Sequence, residues 1–344
     1  MHTIAVAGHV CLDLTPLLRA PARLDPGQLI EVGPLNVTLG GSVANTGGAL
    51  ADLGANVTPF ATVGDDELGA LLLSKLTAAG FATPRLTLSP HLMTSYSLVV
   101  EHRGQDRFFW HHTGANDGFD GSAVDFTGHG LLHVGYPPLL PGVLAENGRR
   151  LHDLFERARS AGVTTSVDLA VVDRTSTVRS LKWNAILSTI FAQSDIATPS
   201  FDDLVSALGI EEQYSPELVD HLADQILADG AAVVAISAGR HGLRLRTASA
   251  ARLRAGGVVL SPLADTWANR ALSTPPVSIE RPVTTNGAGD ASTAGLVFGL
   301  TRGATPEQSV ALAAASSAVV MSGARTTPRN VTSLQPSVAS IFGA

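Results

Sequence analysis

The sequence predicts an α/β protein: a doubly wound, mostly parallel sheet flanked by helices, with a small β-sheet lid. Three observations carry this. Strand-like and helix-like runs alternate along most of the 344 residues. The segment 232–237 is an apolar run closing on Ser237, the pattern of a strand buried on both faces of a parallel sheet. Two excursions, at about 12–38 and 92–113, break the rhythm with alternating, β-prone stretches such as Gln28-Leu29-Ile30-Glu31-Val32 and Tyr96-Ser97-Leu98-Val99-Val100. The chain 1–344 is read as one α/β domain, because such enzymes often run long without dividing.

In order, Ile4-Ala5-Val6-Ala7-Gly8 is a short apolar strand that leads into Asp13. A helix at 49–53 stops at Gly54, where glycine suits a C-terminal cap. Strand 57–63 precedes helix 67–79, ended by Gly80. Strand 130–134 precedes helix 144–161, ended by Gly162, and strand 163–169 carries Asp168 near its end. Helix 181–191, a short strand at 195–198, helix 216–229 and strand 232–237 follow, and 291–300 is an apolar helix. Segment 250–282 holds Pro262, Pro275, Pro276 and Pro282 and reads as a long surface connection. In such a sheet, ligands bind at the C-terminal ends of the strands.

Composition excludes several classes. The net charge is −7 with no basic block, which argues against nucleic-acid binding. The sole cysteine, Cys11, excludes an intrachain disulfide and reads as a small buried hydrophobe. No apolar stretch reaches about 18 residues, so no membrane span is expected. No charged region followed by a long apolar run opens the chain, so no signal peptide is expected, and a cytoplasmic location follows by elimination. Neither a Gly-x-Gly-x-x-Gly nor a Gly-x-x-x-x-Gly-Lys-Ser/Thr motif occurs, against a dinucleotide oxidoreductase and a P-loop protein.

Thr285-Asn286-Gly287-Ala288-Gly289-Asp290 is the most informative stretch. Its glycines permit a tight turn and close approach of backbone to ligand. The helix that follows puts unpaired N–H groups and a favourable dipole at the turn, an anion site. Asp290 then stands where it can take a proton from an attacking hydroxyl, as phosphoryl transfer requires. Taken alone, the hexamer is equally a Gly-rich turn capped by Asp. A second motif at 40–54 pairs Gly40 and Gly41 with Asn45, whose amide both donates to and accepts from a hydroxyl. Asp13 suits a grip on two sugar hydroxyls.

These motifs together resemble the ribokinase-like (PfkB) carbohydrate kinase family. Gly8 and Asp13 match the family's opening, and Gly40-Gly41-Ser42-Val43-Ala44-Asn45 its sugar motif. Val63-Gly64-Asp65-Asp66-Glu67-Leu68-Gly69 and Gly114-Ala115-Asn116 follow in family order. Ser237-Ala238-Gly239-Arg240-His241-Gly242 resembles its nucleotide-site motif, and Gly287-Ala288-Gly289-Asp290 its C-terminal signature. The resemblance implies ATP and Mg2+ and transfer to a hydroxymethyl group of a sugar or sugar-like molecule. It implies Asp290 as general base and Gly287, Ala288 and Gly289 as anion hole. It implies Asp13, Gly40, Gly41, Asn45 and Asn116 on the substrate, and Ser237, Gly239, Gly242 and Asn286 on the nucleotide. It also implies a β-sheet lid over the sugar and a homodimer, lid against lid, with Phe108, Phe109 and Trp110 at the contact or the pocket wall. Two departures stand out. Thr284 occupies the place of an Asp that helps bind a monovalent cation, leaving that cation open. Ser200-Phe201-Asp202-Asp203 replaces the Asn-x-x-Glu that supports magnesium, with Asp203 standing in for Glu. Ser42, where ribokinase-type members often carry Lys, argues against ribose.

Other residues have ordinary readings. His111 and His112 are neighbours on a strand and point to opposite faces, so they do not share one metal. His129 and His133 lie on a strand rather than a helix face. Asp168 is a strand-end carboxylate that reads equally well as a turn residue. Two alternatives to a sugar kinase remain: a nucleoside kinase of the same fold, and a non-catalytic sugar binder, which retention of Asp290 disfavours.

Overall fold

The computed structural model describes residues 2–18, 26–81, 85–100 and 108–343, with Phe108 described by its backbone alone. Parts of the two excursions, 19–25 and 101–107, and the expected Phe108 contact lie outside the described residues. In chain order the described strands are β1 (Thr3–Gly8), β2 (Cys11–Pro16), β3 (Leu35–Gly40), β4 (Val57–Gly64), β5 (Leu86–Ser89), β6 (Tyr96–Val100) and β7 (Phe108–His112). They continue as β8 (His129–Gly135), β9 (Thr164–Asp168), β10 (Ile196–Ala197), β11 (Val233–Ser237), β12 (Leu243–Thr247) and β13 (Ala271–Thr274).

Nine of them form one sheet in the order β13-β12-β11-β10-β9-β8-β1-β4-β5. All neighbours are parallel except β11 with β12 and β12 with β13. The other four form a small mixed sheet, β3-β2-β6-β7, with β2 and β6 parallel. This is the ribokinase-like architecture, with the small sheet as lid. Successive side chains of a strand face opposite sides, and the core divides accordingly. Ile4, Val6, Leu131, Val233 and Ala235 join one cluster, packed by helices Ser42–Asp52, Ala288–Thr301 and Pro306–Met321. Ala5, Ala7, Leu132, Val134, Val234 and Ile236 join the other, packed by helices Trp183–Phe191, Phe201–Leu208 and Pro216–Asp229. Both faces being covered explains the unbroken apolar strands. No helix of the described residues is long and apolar enough to cross a membrane.

Helix Pro216–Asp229 has the bounds its sequence signals give: Ser215 caps it by accepting from the Leu218 N–H, Pro216 opens it and Gly230 closes it. Four segments depart from expectation. The helix expected at 49–53 begins seven residues earlier, at Ser42, so Asn45 and Thr46 lie on its first turns. The helix expected at 144–161 is Pro141–Ser160 and is interrupted, with Glu146, Asn147 and Gly148 at φ 57, 58 and 82°; Asn and Gly tolerate that left-handed backbone. Residues 28–32 form no strand; the β2–β3 pairing reaches only as far as the Gly33 N–H to the Leu17 carbonyl, 2.7 Å.

The fourth is 250–282, which is not merely a surface connection. It supplies helices Ala250–Arg254, Gly257–Leu260 and Ala264–Trp267 and edge strand β13. Leu253, Val259, Leu260, Ala264 and Trp267 are buried, and the Trp267 indole donates to the Ala304 carbonyl at 3.0 Å. Three of the four prolines lie beyond these apolar residues. Trp267→Ala is expected to destabilise the protein by about 3–5 kcal/mol, the range for deleting a buried aromatic. Chemical denaturation measures it; a residue on a surface connection would change stability by only about 0.5 kcal/mol.

Candidate active site

Asp290 lies in the first turn of helix Ala288–Thr301, 3% exposed. Gly287 caps the helix at φ 74°, a left-handed backbone that favours glycine. Three neutral donors surround the carboxylate. Thr46 Oγ1 donates to Oδ1 at 2.7 Å, while Asn45 Nδ2 and the Tyr136 hydroxyl donate to Oδ2 at 3.2 and 2.6 Å. Burial raises the Asp290 pKa above the ordinary value, these bonds pull it down, and the Asp13 charge adds to the rise. Tyr136 was not singled out from the sequence. It sits just past the C-terminal end of β8 with φ 64° and is followed by Pro137. Its place after a buried parallel strand was the available signal, since such strand ends face ligands.

The Asn286-Gly287-Ala288 turn is held from both sides: the Asn286 N–H donates to Thr284 Oγ1 at 3.0 Å and the Ala288 N–H to the Thr285 carbonyl at 3.3 Å. The next N–H groups, of Gly289 and Asp290, belong to a first turn that has no intrahelical acceptors for them. Gly289, Ser292 and Thr293 line a cleft together with Ser237 and Leu243. The structure thus brings Ser237 beside Gly289 in one cleft. Gly239 and Gly242 lie in the tight β11–β12 turn just beyond it.

On the other side of Asp290, the small sheet contributes Asp13. Its carboxylate is buried beneath Gly40, where an added Cβ would lie 2.6 Å from Oδ1. A Cβ on Gly41 would lie 2.5 Å from His9 Nδ1, so glycine there allows the helix Ser42–Asp52 to start against His9. Asn45, expected on the substrate, also hydrogen-bonds Asp290. One expectation needs revision. Asn116 is fully buried, and both ends of its amide are spent on Val10, through Nδ2 to the carbonyl at 3.0 Å and Oδ1 from the N–H at 3.2 Å. It holds the turn carrying His9 and supports the site from behind. Ser42 is likewise buried.

Two more carboxylates lie in the same field. Asp168, at the end of β9, accepts from the Leu169 N–H at 2.9 Å and from Thr293 Oγ1 at 3.3 Å. Asp203 shares a capping box with Ser200, accepting from the Ser200 N–H at 2.8 Å. Burial pushes Asp168 well up, and the charges of Asp203 and Asp290 add to this. Burial pushes Asp203 up to about 6 against its Ser200 hydrogen bonds. A carboxylate raised by its buried neighbours, as Asp168 is by Asp203 and Asp290, suits a bound cation, which would relieve the repulsion. His133, with Nδ1 on Ser166 Oγ at 3.0 Å, is held neutral by burial and is a core residue.

Comparison with known proteins bears on this arrangement. The chain matches the pfkB family carbohydrate kinase model over residues 1–332, and it belongs to that family. It is 25% identical over 296 residues to the 2-dehydro-3-deoxygluconokinase of Bacillus subtilis (strain 168), covering 83% of this chain and 81% of the relative. Among solved structures it resembles the ribokinase of Arabidopsis thaliana complexed with ribose and ATP, at 17% identity and a TM-score of 0.71, over 97% of this chain and 98% of that one. It also resembles a Burkholderia thailandensis nucleoside kinase in complex with inosine, at 17% identity and a TM-score of 0.69, over 99% of each chain. These two likenesses show the fold; the family match makes the chain a carbohydrate kinase.

Asp203 gives the site a pH signature. Its folded pKa lies above the ordinary 3.8, so its neutral form is favoured by folding. That contribution is full at low pH and is lost as pH rises through about 6. The gap corresponds to at most about 3 kcal/mol. Without added Mg2+, the stability of the wild type relative to Asp203→Asn should therefore fall between about pH 4 and pH 7. Denaturation of both proteins across that window measures it; parallel curves would contradict the buried ionisation.

Proposed function

We propose that this PfkB carbohydrate kinase transfers the γ-phosphoryl group of ATP to a hydroxymethyl group of a sugar or sugar-like small molecule, with Asp290 as general base. The observation that carries the reading is Asp290 itself, buried at a glycine-rich helix N-terminus and oriented by three neutral donors. The substrate hydroxyl oxygen attacks the γ-phosphorus. Its proton passes to Asp290, and the bond from phosphorus to the bridging oxygen breaks to release ADP. The Tyr136 hydroxyl now lies where an incoming hydroxyl would donate, so substrate takes over its bond to Oδ2. Backbone N–H groups at Gly287 and Gly289 would face the developing charge, joined by that of Ala288 if it leaves the Thr285 carbonyl, and Ser237, Gly239, Gly242 and Asn286 would border the nucleotide. Asp13, Gly40, Gly41 and Asn45 hold the sugar. Asp168 and Asp203 would hold Mg2+, which neutralises phosphate charge when bound. The sugar-acid kinase relative supports a sugar over the alternatives, a nucleoside or mere binding without turnover.

Asp290→Asn should lower kcat by about 10²–10⁴-fold while ATP binding is retained. In the wild type, the acid limb of kcat/KM should lie above the ordinary carboxylate range, because Asp290 is raised. Asp13→Ala should raise the sugar KM far more than the ATP KM. A panel of sugars, sugar acids and nucleosides, scored by ADP release, supplies the substrate. Near-wild-type turnover by Asp290→Asn would sink the assignment of the base, and no ADP release with any acceptor would favour the binding protein.

We also propose a homodimer in which the small sheets pack together. Phe109 and Trp110 are each 45% exposed on β7, and Leu17 and Leu35 are exposed near β2 and β3. Apolar surface of that kind on an edge is normally covered. Light scattering at micromolar concentration should give twice the 35.5 kDa chain mass, and Trp110→Glu should give monomer. A wild-type monomer would rule the dimer out.

A further inference from the structure

His9, Cys11 and His111 converge from three places in the chain: the β1–β2 turn, β2, and β7 of the small sheet. One ligand-type atom from each lies within 4.8 Å of the others. His9 and Cys11 are each 2% exposed, and His9 Nε2 is 3.1 Å from His111 Nε2. We propose that these three residues form a binding site for a thiophilic divalent cation of the zinc type.

Three features point there. Two imidazole nitrogens on a tetrahedral zinc stand about 3.3 Å apart, from Zn–N bonds of about 2.0–2.1 Å, close to the separation found. Burial lowers both imidazoles, His111 to about 4, so each is in the neutral form that ligates. The other nitrogen of His111, Nδ1, lies 3.1 Å from Ser97 Oγ, the kind of partner that fixes a ligating ring. Without a cation, the facing nitrogens share one N–H···N hydrogen bond, one ring donating and the other accepting. Two nitrogens and one sulfur select zinc over magnesium or calcium. Three protein ligands leave a fourth position for water or another oxygen. Asp13 Oδ1, 3.6 Å from Cys11 Sγ, stands beside the thiol.

Binding is proton-coupled. Burial, then the Asp13 charge, pushes the Cys11 thiol well up, so the cation must displace its proton to solvent, and affinity rises with pH. The site adjoins Asp13, which the proposed function gives to the sugar, but its test needs no turnover and so does not depend on that reading.

Cys11 is the only cysteine in the chain, which makes the test specific. Tag-free protein, stripped with a chelator, is titrated with Co2+. One equivalent should produce a near-ultraviolet thiolate-to-cobalt charge-transfer band, and one equivalent of Zn2+ should erase it. Competition with a chromogenic chelator gives the Zn2+ affinity. Cys11→Ser should abolish the band, and His9→Ala and His111→Ala should each weaken Zn2+ binding by at least about 100-fold, beyond the loss typical of outer-shell partners. His152→Ala, in a surface His152-Asp153-Glu156 group on another helix, should leave the band unchanged. If a histidine variant fails to fold, the wild-type spectrum decides alone. No band at saturating Co2+, or a band that survives in both histidine variants, overturns the site.

Discussion

The site depends on keeping one carboxylate, Asp290, out of water without a cationic partner among its hydrogen bonds. Burying a charge is costly unless it is hydrogen-bonded. Here the compensation comes from an amide and two hydroxyls, on Asn45, Thr46 and Tyr136. Those donors belong to two segments far apart in sequence, and a third segment carries the acceptor. Helix Ser42–Asp52 must therefore pack on helix Ala288–Thr301, as Val43, Ala44 and Leu50 do with Ala291 and Ala294 in one cluster. The chain after β8 must turn sharply enough to aim Tyr136 inward, which accounts for its left-handed backbone.

The parallel sheet supplies the second constraint. Its strands end along one rim, and chemically interesting residues come from that rim: Gly8 at the end of β1 and His9 after it, Tyr136 after β8, Asp168 at the end of β9 and Ser237 at the end of β11. Crowding carboxylates at a rim raises each of them. Asp168, Asp203 and Asp290 are all shifted up, with burial the leading cause in each. A protein gains nothing in stability from such a cluster; groups that destabilise one another while empty are poised to bind cations.

The alternating rhythm and the glycine motifs were legible because their causes are local. A cap, a proline and a terminal glycine define Pro216–Asp229 without reference to the rest of the molecule. Gly287 and Asp290 are likewise read from a turn and the helix after it. What stayed illegible is tertiary. Nothing near Tyr136 in sequence says that its hydroxyl reaches Asp290, 154 residues on. The resemblance of Gly114-Ala115-Asn116 to a family motif implies a ligand contact at Asn116; only burial against Val10 shows it spent. Prolines made 250–282 look like loop, although Trp267 and Leu260 were already signs of a buried segment. Cys11 reads as a small hydrophobe until β7 brings His111 alongside.

The division of labour between the two sheets has a consequence for the proposed chemistry. Asp13 stands on the small sheet and Asp290 on the large assembly, and the charge of Asp13 adds to the rise at Asp290. A sugar whose hydroxyls donate to Asp13 spreads that charge and relieves the repulsion, so Asp290 ionises more readily in the occupied site than in the open one. Recognition and base strength are then linked through space rather than through a moving element. An acceptor that lacks the hydroxyls facing Asp13 would lose rate as well as affinity, because it would leave the base facing an unscreened negative charge.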